Sequence, residues 1–432
     1  MGLPSKEVRI IIVAVILLIA AVSPVGTEKA RLVSHIFVPA NTRVTNSLND
    51  SEAFVASEQG VEWFMRTYDL KGASVAVARD GKMVYARGFG YASLSDSVPV
   101  EPYHRFRIAS ISKLVTAIAV MKLHEEGKLS VNDRVFGPGG ILTDTAYLNP
   151  KDKRAFDVTV GHLLGHKGGW TQRYGDQMFM PQVIAQSMGV QLPVDTKTIV
   201  RFALSKNMHF TPGAGQAYSN LGYAILGLVI EKVTGESYEQ YCIENILHPL
   251  GIFDMSFGHN LPDEKLPYEV SYYEVSDARP KPSVYGTGEM MMSSYGGNDI
   301  ETLGAAGAWI ATAPDLMRLL LAVDGFDNCK DIISAGSIEF MTDISNGYAP
   351  VGWRATLPNG VWWRTGSFPG SSAMMKRMPD GTAWVVLLNT SAWNGPALSS
   401  DTDNMMSKFI QRAGNWPEKD LFSYSLPVPL GE

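Results

Sequence analysis

A serine and a lysine three residues apart, Ser110 and Lys113, offer the clearest chemistry in the chain. They stand at the start of an apolar, glycine-free run, residues 114–121, which predicts a helix that begins near Ser110. Residues at this spacing share a helix face, so the hydroxyl and the amine should be neighbours. Free N–H groups at a helix start favour an oxyanion, and a partly desolvated lysine can accept a serine proton. The pattern therefore predicts a nucleophilic serine.

A plainer interpretation makes Ser110 a helix cap and Lys113 a solvated side chain. Four-residue patterns of common residues recur by chance. Ser110 is nevertheless the one serine with a lysine three residues later, and its flanks are apolar. Ser112 is the competing nucleophile, but it is adjacent to Lys113 in sequence and should point elsewhere.

The segment Tyr218-Ser219-Asn220 could supply a base. As a phenolate beside Lys113, Tyr218 would take the Ser110 proton, while Asn220 would bind Lys113 or a substrate carbonyl. Taken alone, a core tyrosine and a helix-capping asparagine remain the simpler interpretation, because such triplets are common.

The segment Arg364-Thr365-Gly366-Ser367 should close a strand and bind substrate. Gly366 would let a substrate approach the backbone, and the N–H groups of Ser367 and Ser110 could form an oxyanion hole. Arg364 stays protonated, so it can only attract an anion or hold its neighbours. A surface strand residue is the alternative for Arg364.

The composition limits the partners and cofactors. The 432 residues carry a formal net charge of −6 and no basic run, so nucleic acid is not an expected partner. Two cysteines exclude a disulfide scaffold and a cysteine zinc site. Cys242 should be a buried thiol, and a bridge to Cys329 stays open. His162 and His166 have metal-pair spacing but no evident third ligand, so we expect structural histidines and no metal.

The N-terminus predicts export. Lys6 and Arg9 precede an uncharged run, residues 10–22, and then small residues, in the order of a signal peptide. We expect residues 1–26 to be a signal peptide or an uncleaved anchor, and the protein to be periplasmic or extracellular, with membrane anchoring through residues 8–25 as the open alternative. Residues 27–50 should be a linker, and residues 416–432 a loose tail.

The remaining residues, 51–415, predict one domain of the α/β (α+β) class. Strand patterns lie towards both ends and helical patterns between them. An antiparallel sheet flanked by helices should therefore come from residues 51–139 and 300–415, with a mostly helical subdomain at 140–299 and a cleft between them. Predicted helices are 52–68, 110–127, 159–164, 223–233, 238–250, 313–323 and 401–412, and predicted strands are 73–79, 83–88, 361–364, 372–378 and 382–388.

In order and spacing, these motifs resemble those of the serine β-lactamase-like family, which includes class C β-lactamases, low-molecular-weight penicillin-binding proteins and related esterases. The resemblance covers about residues 60–410. S-x-x-K, Y-x-N and [KH]-T-G are weak singly but specific together. The matching segments are Ser74-Val75-Ala76-Val77, Asp80-Gly81-Lys82, Phe106-Arg107-Ile108-Ala109-Ser110-Ile111-Ser112-Lys113, His162-Leu163-Leu164-Gly165-His166, Tyr218-Ser219-Asn220, Ala305-Ala306-Gly307 and Arg364-Thr365-Gly366.

The resemblance implies acyl transfer by double displacement on a small-molecule or peptide substrate, without a cofactor. Ser110 would attack, Lys113 and Tyr218 would manage the proton, and the Ser110 and Ser367 amides would hold the oxyanion. Arg364 replaces the usual Lys or His, which puts β-lactam turnover in doubt and indicates an anionic substrate group. Three hypotheses follow: a hydrolase of esters, amides or peptides, an acyltransferase with an alcohol or amine acceptor, and a non-catalytic binding protein.

Overall fold

A seven-stranded antiparallel sheet is the central element of the structure, a computed structural model that describes residues 43–49 and 52–424. The strands, in chain order, are β1 (Gly72–Arg79), β2 (Lys82–Ser93), β3 (Val98–Pro99), β4 (Phe106–Arg107), β5 (Ser256–Phe257), β6 (Lys281–Pro282), β7 (Met290–Met291), β8 (Trp309–Ala311), β9 (Ala355–Thr356), β10 (Trp362–Phe368), β11 (Ser371–Arg377) and β12 (Thr382–Leu388). The order in the main sheet is β3-β2-β1-β12-β11-β10-β9. Both ends of the chain thus contribute to one sheet, as predicted.

Helices cover the sheet and fill the middle of the chain. They are α1 (Val55–Tyr68), α2 (Ser112–Glu125), α3 (Val160–Leu164), α4 (Pro181–Met188), α5 (Thr196–Leu204), α6 (Asn220–Thr234), α7 (Tyr238–Cys242), α8 (Ile300–Leu303), α9 (Ala313–Leu321), α10 (Ala335–Thr342) and α11 (Leu398–Arg412). This mixture of helices and antiparallel sheet confirms the α+β fold class. Helices α3 to α7 fall within residues 140–299, and the proposed division into a sheet part and a helical subdomain stays a prediction.

The sheet is buried on both faces because helices pack on each. The side chains of Val75 and Val77 on β1 join Phe64 of α1 and Phe409 of α11 in one buried cluster. The alternate β1 side chains are small, and α9 packs against β1 and β12 on that face. Burying each large apolar side chain contributes about 1.5–3 kcal/mol, so the alternation of large and small residues fixes which helix covers which face.

Turn chemistry sets the strand registers as predicted. Asp80 and Gly81 connect β1 and β2 with φ angles of 52° and 79°, the left-handed conformation of a tight hairpin turn. Pro379-Asp380-Gly381 lies in the longer connection between β11 and β12, where Gly381 has a φ angle of 81°.

Several elements differ from the sequence prediction. Strand β2 continues beyond residue 88 to Ser93, and β10 continues beyond residue 364 to Phe368 because residues 365–368 keep pairing with β11. The helix predicted over 238–250 is α-helical only to Cys242, and a π turn and a 3₁₀ turn follow it. Pro249 lies in that last turn, and proline cannot donate an intrahelical hydrogen bond. Cys242 is buried, Cys329 is partly buried, and both are free thiols.

The segments next to the domain pack against it. Within the predicted linker, the guanidinium of Arg43 is buried and pairs with the Asp254 carboxylate. Within the predicted tail, Trp416 packs on Phe54 and Leu421 is buried. The predicted leader and most of the predicted linker lie outside the described residues, as do residues 425–432. No helix in the described ranges is long and apolar enough to span a bilayer.

We predict that residue 46 is part of the folded unit. The Asn46 side chain accepts a hydrogen bond from Gly88 N at 2.7 Å and donates one to Val100 O at 2.8 Å. Asn46→Ala leaves both backbone groups without this partner and should lower the free energy of unfolding by about 1–3 kcal/mol in urea titrations. Ser47→Ala, at an exposed neighbouring position, is the control. Equal stability of the two variants would show that the segment is not integrated into the fold.

Candidate active site

Ser110 lies on a 3₁₀ turn, Ala109–Ile111, between β4 and α2. The preceding residue, Ala109, has a φ angle of 45°, an unfavourable conformation for a residue with a side chain. Ser110 Oγ is 2.6 Å from the hydroxyl oxygen of Tyr218 and 3.2 Å from Lys113 Nζ. The structure therefore brings together the three side chains for which the sequence predicted catalytic roles.

Lys113 is fully buried in the first turn of α2, a helix that is apolar on almost every side. Its Nζ donates to Asn220 Oδ1 at 2.7 Å and to Ala306 O at 2.6 Å, in addition to Ser110 Oγ. Burial lowers the pKa of Lys113. Three acceptors match the three protons of an ammonium group, so the geometry is that of a charged lysine.

Tyr218 lies in the turn before α6. Burial alone would raise the pKa of Tyr218, but the charges of Lys113 and Arg364 outweigh it and lower the pKa to about 8. Arg364 Nη2 is 3.3 Å from the Tyr218 hydroxyl. Two cations therefore stabilise the phenolate of Tyr218.

Arg364 is buried, and each of its three guanidinium nitrogens donates to a protein oxygen. Nε donates to Ser110 O at 2.8 Å and Nη1 donates to Trp353 O at 3.1 Å, in addition to the contact with Tyr218. Of the roles considered from the sequence, this geometry is that of a residue that holds its neighbours. It is not an exposed strand residue, and it lines the cavity beside Ser110, so its contact with a substrate stays a prediction.

Thr365, Gly366 and Ser367 line a cavity of about 430 Å³ with Ser110 and Tyr218. A Cβ at position 366 would lie 2.0 Å from Ile108 O and 3.1 Å from Ser110 N, so only glycine fits between β10 and the serine turn. The Ser110 backbone thus packs against β10 at Gly366, and Ser110 and Ser367 both line the cavity in which the sequence predicted the oxyanion hole. The beginning of α11 forms another part of the lining.

Sequence reasoning missed Asp176 as part of the site. Asp176 follows Gly175, whose φ angle is 99°. Its Oδ2 accepts from Asn220 Nδ2 at 2.6 Å and from Gln172 Nε2 at 2.6 Å. The opposite end of the Asn220 amide contacts Lys113, so Asp176 fixes the amide orientation. No local sequence pattern distinguishes this aspartate from other loop aspartates.

The two histidines occupy different surroundings. His162 Nδ1 accepts from Thr159 N and completes the cap of α3. The His166 ring lies 4.7 Å from the Tyr218 ring, and its Nδ1 accepts from Ser219 N. Burial lowers the pKa of His166 well below its ordinary value, and Arg364 and Lys113 add to the shift, so the imidazole is neutral. Across residues 43–49 and 52–424, no group of three or more His, Cys, Asp or Glu side chains is arranged to hold a metal.

Comparison with known proteins agrees with this architecture. A family model described as Beta-lactamase matches residues 58–404. The chain is 26% identical to Protein flp of Staphylococcus aureus over 54% of its own length and 43% of that protein. It is 30% identical to Penicillin-binding protein 4* of Bacillus subtilis over 41% of its length and 36% of that protein. The chain thus matches less than half the length of each of these relatives.

A solved structure shows the same fold over most of both chains. The octameric penicillin-binding protein homologue from Pyrococcus abyssi superposes with a TM-score of 0.60 at 26% identity, covering 85% of this chain and 79% of that one. The family model extends from α1 into α11 and includes every residue of the site described above. The chain belongs to the Beta-lactamase family.

Proposed function

We propose that the protein is a serine hydrolase that acts on an ester, amide or peptide through an acyl-enzyme at Ser110. One observation supports this most directly: the Ser110 hydroxyl contacts both Tyr218 and Lys113 and lines an open cavity. A hydroxyl in this position has a base, a cation and space for a substrate carbonyl carbon.

In the proposed mechanism, Tyr218 is the general base because Lys113 already donates all its protons. The Tyr218 phenolate takes the Ser110 proton as Oγ forms a bond to the carbonyl carbon. The Ser110 and Ser367 N–H groups stabilise the oxyanion. Tyr218 then returns the proton to the leaving group as the scissile bond breaks. Water then attacks the carbonyl carbon of the ester and gives a proton to the Tyr218 phenolate. Tyr218 passes this proton to Ser110 Oγ as the ester bond breaks, which releases the acid and restores the Ser110 hydroxyl and the phenolate.

Reaction of Ser110 with a fluorophosphonate tests the acyl-enzyme proposal. We expect wild-type protein to gain the mass of one phosphonyl group and Ser110→Ala to gain none. Ser112→Ala is the matched control, since the Ser112 hydroxyl is buried and accepts from Trp309 N. An adduct that survives in Ser110→Ala, or no adduct on wild type, would contradict the assignment. When an alcohol is added together with a donor ester, the ratio of free acid to new ester compares hydrolysis with transfer to the alcohol.

The pKa of Tyr218 predicts the pH dependence. Because the phenolate is the reactive form and the pKa is about 8, kcat/KM should rise about tenfold per pH unit below about pH 8 and level off above it. Tyr218→Phe should reduce kcat/KM by at least about 100-fold, whereas the exposed-position variant Tyr174→Phe should keep the wild-type profile. A profile centred near pH 10, or a flat one, would exclude Tyr218 as the base.

Asp176→Asn tests whether the orientation of Asn220 matters. A carboxylate can only accept, so Asp176 directs the Asn220 oxygen to Lys113; an asparagine at 176 permits either orientation. We expect the rate of Ser110 phosphonylation to fall about tenfold, the size of one hydrogen bond lost at a charged group. Thermal unfolding of the same sample monitors the fold. If Asp176→Asn is phosphonylated at Ser110 at the wild-type rate, Asp176 has no such role.

A further inference from the structure

A second cavity lies between α1 and α11, and it shares no lining residue with the cavity beside Ser110. It is a groove of about 470 Å³, within the size range of sites for small molecules. Trp63 and Phe64 of α1 and Met405 of α11 supply apolar side chains to its lining. Trp63 is 62% exposed, so an apolar ligand that covers it would remove a large apolar surface from water.

The groove is lined by a glycine that the fold does not require. Gly60 lies inside α1, where glycine lowers helix stability relative to alanine. A Cβ at position 60 would approach only one atom of the surrounding protein within 4 Å, the end of the Arg412 side chain at 3.5 Å, and this is an ordinary contact. Packing therefore permits a side chain at position 60, in contrast to position 366. The missing side chain leaves space between the two helices.

One end of the groove is cationic. Lys408 and Arg412 both line it and are one helical turn apart on α11, so they share a face of that helix. Both are exposed, and neither makes a hydrogen bond or ion pair within residues 43–49 and 52–424. Asp401 also lines the groove, but it accepts from Asn394 Nδ2 at 2.7 Å and is about 10 Å from Lys408 along the helix. The free charge in the groove is therefore positive and lies near the end of α11.

We propose that this groove binds a single-chain amphiphile with an anionic head group. The head group contacts Lys408 and Arg412 beside Gly60, and the alkyl chain lies along Trp63 and Met405. Two cations one turn apart can both donate to one anionic group, and such charge-assisted hydrogen bonds are stronger than neutral ones. The alkyl chain gains free energy by leaving water. This site goes beyond the proposed hydrolase function and does not depend on it.

Quenching of tryptophan emission by a brominated chain tests the proposal. The probe is dodecanoate brominated in mid-chain, used below its micelle concentration, beside the alcohol with the same chain. Wild-type protein should bind the carboxylate at least about tenfold more tightly than the alcohol, the size of one hydrogen bond to a charged group. The double substitution of Lys408→Gln with Arg412→Gln should abolish this preference. Arg66→Gln, at an exposed position of α1 that does not line the groove, is the control and should keep it.

Two further variants locate the ligand. Trp63→Phe should lose most of the quenching, because bromine quenches tryptophan only at close range. Gly60→Leu should fill the groove and abolish quenching by both ligands, and its unfolding midpoint should be no lower, since leucine is more favourable than glycine in a helix. Equal affinities for the carboxylate and the alcohol, undiminished quenching in Trp63→Phe, or undiminished binding to Gly60→Leu would each overturn the proposal. Binding to phosphatidylglycerol vesicles without binding of the free chain would also overturn it and assign the surface to a membrane.

Discussion

A fully buried ammonium group is the constraint on which this site depends. Lys113 lies in a helix surrounded by apolar side chains, and an unpaired charge in such surroundings costs several kcal/mol. Its partners come from the serine turn, from Asn220 at the start of α6, and from the carbonyl of Ala306. Segments that are distant in sequence must therefore converge on Lys113 for the domain to fold. The convergence that stabilises the charge also assembles the nucleophile, the base and the cavity.

Arg364, the second cation of the site, affects the pKa of the Tyr218 phenol. A lysine or histidine at position 364 would itself titrate, but arginine does not in any useful pH range. The Arg364 guanidinium holds the carbonyl of Ser110 and approaches the Tyr218 hydroxyl, so it links the strand to both reacting groups. The Arg364 charge beside the phenolate is then independent of pH. The groups at the Ser110 hydroxyl that can titrate are Tyr218 and Lys113, and the pKa of Lys113 is lowered by burial.

Local patterns predicted much of the fold and the centre of the site. The Asp80-Gly81 turn, the strands on either side of it and the apolar helix after Ser110 follow from turn chemistry and periodicity. These patterns did not predict the full extent of β10, because threonine and glycine near a strand end also fit a turn. Asp176 could not be predicted for another reason: it acts through Asn220, a tertiary neighbour, and the residues around it in sequence carry no distinguishing pattern.

The close packing of the serine turn on β10 also limits which residues the strand can carry. Arg364 and Gly366 are two residues apart on β10 and therefore face the same side of the sheet. On that side Arg364 Nε donates to Ser110 O, and a Cβ at position 366 would meet Ile108 O. The nucleophile thus lies on a face of the sheet, so a side chain larger than hydrogen at position 366 should displace the serine turn while the pairing of β10 with β11 remains possible.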